Sequence, residues 1–246
     1  MQTTQQTLPL TSLDRFWAAE LGCHVLDLRA GDLRLVSSGE RHIQVFATFD
    51  GTVVIGPPSF IKQVQHAILD QLLDPEFWSA QLNVPLSRLA FYGPSSLSYV
   101  LRRYFKPQRH AAVGQLRRKD AAELARFSRI LNAREPNIFH SWAIGGRETA
   151  NRKLWGAYLN GKVVSVASIR PVHKHMYEVG VNTLPRHRWR GWGTAVASAA
   201  TWGGLNVGKL VQWSAPLNNE ASMRIAERLG YQSYAHQLWI GLPQRH

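Results

Sequence analysis

Apolar residues along this chain switch repeatedly between a two-residue and a 3.6-residue period, which marks out alternating strands and helices. Phe16, Trp17 and Leu21 predict a short helix over 13–21, stopped by Gly22. Strand-like pieces follow at 25–28 and 33–36. Residues 42–49 and 52–55 are two apolar runs joined by Asp50-Gly51, which predicts a hairpin with a two-residue turn. Pro57-Pro58 ends the second run, and Ser59 can cap a helix with Ile61, Val64, Ile68 and Leu72 on one stripe. Helical pieces at 77–82 and 96–104 lead to Lys106-Pro107, the expected boundary between domains at 1–108 and 109–246.

The second half opens with a predicted strand at 111–116 and a helix from Asp120 bearing Leu124, Phe127, Ile130 and Leu131. A shorter helical piece is expected at 138–142. Three strands come next, at 153–159, 163–169 and 176–183, the first two joined at Asn160-Gly161. An Ala-rich helix to about residue 205, a strand at 210–214, a helix at 219–229 and a strand at 234–240 complete the order. The pattern reads as a mixed α/β chain whose smaller first part is α+β.

The informative stretch is 177–195. It begins as a strand through Val179 and Val181, meets Pro185, and re-enters regular structure as a helix from Gly193. Between lies a basic loop punctuated by Gly191 and Gly193. The first N–H groups of a helix lack intrahelical partners, and glycines let a ligand approach the backbone, so strand, loop and helix form an anion cradle. Arg186, Arg188 and Arg190 can pair with phosphate oxygens. No Gly-Lys-Ser/Thr follows the glycines, which excludes a P-loop, and the three-glycine dinucleotide fingerprint is absent.

Arg188-x-x-Gly191-x-Gly193 after a strand resembles the coenzyme A pyrophosphate loop of the GNAT N-acyltransferase superfamily. Asn218 to Tyr231 is similar to that family's second signature, with Asn219 and a small residue opening a helix and Gly230 plus Tyr231 closing it. The resemblance covers roughly 110–242. It implies a mixed central sheet flanked by helices, preceded here by the smaller α+β domain. That domain reads as a worn copy of the same unit, a packing partner, a homodimer surface or a substrate lid. It has no Arg-x-x-Gly-x-Gly, and Pro57-Pro58 removes N–H donors where a cradle would need them, so it is not expected to bind cofactor.

The resemblance further implies attack by an amine on the thioester of acetyl-CoA. Val181, Asn182 and Thr183 would lend backbone groups to pantetheine, while Arg188, Trp189, Arg190, Gly191, Trp192, Gly193 and Thr194 would meet the pyrophosphate. Trp189 is a candidate to lie over the adenine. Glu178, the single carboxylate between Glu148 and Glu220, is the candidate base; its alternative is a strand carboxylate facing solvent or pairing with a nearby arginine. The family often places a Tyr seven residues after the helix-opening Asn, to meet the leaving thiolate. Here that position is Ala226, with Ser222 as the nearest polar replacement. Asn219 would touch pantetheine or cap its helix. His173 and His175 are two ligands at most, and no Cys/His set has zinc spacing, so no metal is expected.

Charge sharpens this picture. Residues 1–108 hold 9 basic and 9 acidic side chains, whereas 109–246 hold 20 and 7, so the whole excess of +13 lies in the second half. A phosphate-rich cofactor accounts for part, and a solvated basic surface or a nucleic-acid substrate for the rest. The lone Cys23 forms no internal disulfide, the polar start lacks an apolar leader core, and no run of about 18 apolar residues appears. A cytoplasmic acetyltransferase with a small-molecule amine substrate is the leading expectation. Aminoacyl-tRNA or a protein amine as acceptor, and a catalytically silent CoA-binding regulatory module, are the alternatives.

Overall fold

The computed structural model describes residues 10–135 and 153–242. The chain folds into two compact units, one built from residues up to Leu97 with Ala215–Asn219 and the stretch from Ser233, the other from Ser98–Ser214 and Glu220–Gln232. The division therefore does not follow a single cut, because the C-terminal strand returns to the first unit.

In the first unit, helix α1 (Leu10–Leu21) precedes strands β1 (Leu33–Ser37), β2 (His42–Thr48) and β3 (Thr52–Gly56). Short helices α2 (Pro58–Ile61) and α3 (Pro75–Leu82) lead to β4 (Ala90–Val100). With β10 (Gln232–Gly241) these strands lie in the order β1-β3-β2-β10-β4. β10 runs antiparallel to β2, pairing Ala235 with Thr48 through Gly241 with His42. Ile43, Val45, Val54, Trp78, Leu238 and Ile240 form its buried core.

Four local expectations give way here. Residues 25–28 form a 3-10 turn capped by His24, not a strand. The last β2–β3 pair is Ala47 with Thr52, and the Thr48 N–H donates to the Gly51 carbonyl, so Phe49-Asp50 occupy the tip. Gly51 serves packing instead, since a Cβ there would lie 2.6 Å from the Asp27 carbonyl oxygen. The stripe from Ile61 to Leu72 is not one helix: Ile68 has extended backbone and is 65% exposed, while Ile61, Val64 and Leu72 reach the core from separate turns. Residues 96–100 are strand, with 95–97 and 99–100 all buried; burial on both faces erases the period-2 signal that would have announced it.

The second unit follows its sequence pattern closely. β5 (Val113–Gln115), α4 (Ala121–Arg134), β6 (Lys153–Leu159), β7 (Lys162–His173), β8 (Met176–Thr183), α5 (Trp192–Leu205), β9 (Leu210–Pro216) and α6 (Glu220–Arg228) occur in that order. The predicted piece at 138–142 lies outside the described residues. The strands stand in the order β9-β8-β7-β6-β5. Asn160 and Gly161 both have positive φ, 50° and 73°, as the tight β6–β7 turn requires. Phe127 and Leu131 of α4 pack on Val163, Val166 and Leu184. This is a mixed sheet flanked by helices, as expected.

The end of α6 is fixed by Gly230 at φ 87°. The Gly230 N–H donates to the Glu227 carbonyl and the Tyr231 N–H to the Ala226 carbonyl, closing the helix with a Schellman pair. A Cβ on Gly230 would collide with the Tyr104 carbonyl oxygen, and the Lys106 N–H bonds the Leu229 carbonyl alongside. Gly230→Ala is expected to destabilise the fold by at least about 2 kcal/mol in urea unfolding, combining a forbidden φ with a backbone clash. A neutral effect would show that this corner relaxes freely.

Candidate functional site

β8 and β9 run parallel and pair at only three positions: Met176 with Leu210, Tyr177 with Val211, Glu178 with Gln212. Both strands continue beyond, β8 to Thr183 and β9 to Pro216, so they part after Glu178 and Gln212. On its other edge β8 stays paired with β7 as far as Thr183 with Ser165. The β9-facing edge of residues 179–183 therefore carries no ladder, and its backbone groups must find other partners.

At the end of that edge sits the basic loop. Gly191 is the N-cap of α5, with φ 80°, and no atom lies within 4 Å of where its Cβ would be. The first intrahelical bond runs from the Ala195 N–H to the Gly191 carbonyl, and no side chain caps the helix. The N–H groups of Trp192, Gly193 and Thr194 are thus left without intrahelical acceptors. Gly193 lies in close contact with that edge: a Cβ there would stand 3.2 Å from Thr183 Oγ1 and 3.3 Å from Ile225 Cδ1. So the α5 N-terminus lies against the open strand edge, and the space before Gly191 is clear. Together they form a backbone-lined cradle suited to an anion with an extended polar tail.

The side chains divide into two groups. Arg186 and Arg190 are exposed, Trp189 is 82% exposed at φ 62°, and neither arginine joins an ion pair among the described residues. Arg188 is different. Its Nη1 and Nη2 donate to Glu135 at 2.7 and 2.6 Å, and its Nε donates to the Thr183 carbonyl at 3.1 Å. Its charge is committed to α4, so its side chain does not serve as the phosphate partner expected from sequence. Trp192 packs edge-on against His110, with ring centroids 4.7 Å apart.

Where the strands part, the last paired residues carry a buried polar row. Glu178 is 6% exposed; Oε2 accepts from Arg170 Nε at 2.9 Å and Nη2 at 2.5 Å, and Oε1 accepts from Gln212 Nε2 at 3.2 Å. Tyr99 then donates its hydroxyl to Gln212 Oε1 at 2.7 Å. Of the two sequence readings of Glu178, the arginine-paired one matches this geometry. Arg170, Gln212 and Tyr99 were not anticipated. Arg170 and Gln212 face Glu178 in strand register, which a sequence discloses only once pairing is known.

On the other arm of the fork, Trp213 donates its indole N–H to Ser222 Oγ at 3.0 Å. Asn219 is exposed directly before α6, its N–H bonded to the Pro216 carbonyl, and Ala226 is buried in that helix. Asn182 lies in β8, its carbonyl accepting from Ser165 Oγ at 3.2 Å, while Thr183 Oγ1 meets the same hydroxyl at 2.8 Å. Tyr231 pairs its hydroxyl with Thr201 Oγ1 at 2.8 Å, and burial drives its phenol far above the usual range. His173 and His175 lie 5.7 Å apart between ring centroids, beside Lys174. Among the described residues no group of three or more His, Cys, Asp or Glu is placed to hold a metal.

Residues 156–236 match the family model for GNAT acetyltransferase. No curated protein matches the chain in sequence. Among solved structures, a GNAT-family protein from Novosphingobium aromaticivorans superposes with a TM-score of 0.50 at 17% identity, over 65% of this chain and 70% of that one. A GCN5-related N-acetyltransferase from Kribbella flavida does so with a TM-score of 0.49 at 22% identity, over 68% and 64%. At such identities the first likeness speaks for the fold. No helix among the described residues is long and apolar enough to cross a membrane.

The row at the fork predicts an energetic signature. Glu178→Gln leaves Arg170, with a side chain only 22% exposed, short of its charge partner. Unfolding free energy is expected to fall by about 3 kcal/mol, the lower end of the range for a broken buried pair. An unchanged urea midpoint would show that the pair contributes nothing.

Proposed function

We propose that this chain, whose residues 156–236 match the family model for GNAT acetyltransferase, transfers an acetyl group from acetyl-CoA to the primary amine of a small molecule. The observation that carries the reading is the coincidence of a strand fork with an uncapped helix N-terminus at its mouth. The open backbone of residues 179–183 suits the amide-bearing pantetheine arm, and the N–H groups of Trp192, Gly193 and Thr194 suit a diphosphate. Arg186 and Arg190 supply charge from the rim. When bound, the cofactor supplies an activated acyl carbon and a thiolate leaving group.

In this reading the protein holds two reactants in line and manages protons. Glu178 keeps a fixed negative charge where the strands part, and its contacts make it an orienting anion that can receive the amine's proton only by way of water. Ser222, tied to Trp213, is the polar group of α6 in this region and the candidate hydrogen-bond donor to the leaving sulfur. With one cysteine in the chain, nothing in the reading calls for an oxidising compartment, and a cytoplasmic setting fits. Gly191→Asp places a side chain and a negative charge in the clear space before the helix. Thiol release from acetyl-CoA with a panel of amines is expected to show KM for acetyl-CoA raised at least tenfold, equivalent to about 1.4 kcal/mol. Equal KM in the variant would count against the cradle.

A second acceptor, an amine carried by nucleic acid such as aminoacyl-tRNA, is favoured by one feature. Residues 101–119 contain seven Lys or Arg and no acid. Their first part is pinned along α5: Arg102 stacks 4.9 Å over Trp202, the Gln108 N–H bonds Ser198 Oγ at 2.8 Å, and His110 meets Trp192. An exposed basic strip thus follows the helix for about 15 Å to the cradle. Replacing Arg103, Lys106 and Arg109 by Glu is expected to flatten the salt dependence of single-stranded RNA binding by about two in log–log slope. A charge-matched change at Arg129, Lys153 and Lys162 should leave the slope nearly intact. Equal losses from both triples would mean that binding is diffuse and the strip has no special part.

A further inference from the structure

Glu135 stands at the C-cap of α4, where a negative charge opposes the helix dipole. A charge placed against a local rule costs stability unless another contact compensates it. The compensation is Arg188, whose two terminal nitrogens take both carboxylate oxygens in a fork-to-fork pair. The pair is partly enclosed, with side-chain exposures of 15% for Glu135 and 39% for Arg188. The same guanidinium donates through Nε to the carbonyl of Thr183, the last residue of β8. One side chain therefore ties together the end of α4, the end of the open strand edge and the loop that delivers Gly191 to its positive φ.

We infer that Glu135 is a positioning residue for the cradle: it acts through Arg188 to hold the loop from Leu184 to Gly191 at the height where the α5 N–H groups face the ligand. The inference rests on the acetyl-CoA reading of the cradle. Its consequence runs against simple electrostatics. Deleting a negative charge near an anion site should by Coulomb's law strengthen anion binding. If the carboxylate acts by geometry, deletion weakens it, because the freed guanidinium no longer fixes the loop.

The test compares wild-type protein with Glu135→Gln and with Glu123→Gln. Glu123 is a control acid of the same helix, which accepts from Arg126 and from the Val163 N–H. Two readouts are taken: CoA affinity by calorimetry, and amide hydrogen exchange over 184–194 in ligand-free protein. Glu135→Gln is expected to weaken CoA at least fivefold and to speed exchange in the loop, with thermal midpoints of both variants matched to within a few degrees. Glu123→Gln is expected to do neither. The exchanged pair Glu135→Arg with Arg188→Glu should recover part of the affinity, since it restores the tie. Unchanged exchange, or CoA bound as tightly or more tightly by Glu135→Gln, would overturn the positioning role. A wild-type protein that binds no CoA while the loop still loosens in Glu135→Gln would overturn the cofactor reading instead, and leave the tie standing.

Discussion

The second unit depends on a ladder that stops early. β8 and β9 share three pairs and then diverge, while β8 remains held by β7 along its whole length. A strand fixed on one edge and open on the other presents backbone donors and acceptors at fixed spacing. A ligand that carries its own amides can complete them as another strand would. The α5 N-terminus closes the open end with three further N–H groups that nothing in the helix satisfies. In the acetyl-CoA reading, recognition rests mainly on these backbone groups.

Charged side chains near the fork also serve the fold. Arg170 and Arg188 are consumed by Glu178 and Glu135. These pairs tie β8 to β7 and the cradle loop to α4, and they leave the exposed Arg186 and Arg190 facing solvent. The +13 of the second half is thus two populations, one structural and one available. Net charge alone does not separate them.

The cradle was legible because its determinants are local: a strand, a proline, two glycines and an Ala-rich helix follow one another within twenty residues. The Schellman close at Gly230 was legible for the same reason. The fork itself was not, since the point where a parallel ladder ends depends on partners more than thirty residues apart, and neither Tyr99 nor Gln212 bears a local mark of the row they join. Arg188 looked like a phosphate ligand because its neighbours do; Glu135, 53 residues earlier, decides otherwise. Ser96 to Val100 lack alternation because both faces are buried, and the run around Ile68 reads as helical because its apolar spacing is right while the backbone turns elsewhere.

The most direct test of the account is to follow the backbone amides of Trp192, Gly193 and Thr194, together with those of residues 179–183, by NMR as CoA is added. The first set is predicted to move with CoA and with 3′-phosphoadenosine 5′-diphosphate alike, and the second only when the pantetheine arm is present. Saturable binding that leaves both sets unmoved would place the ligand elsewhere and contradict it.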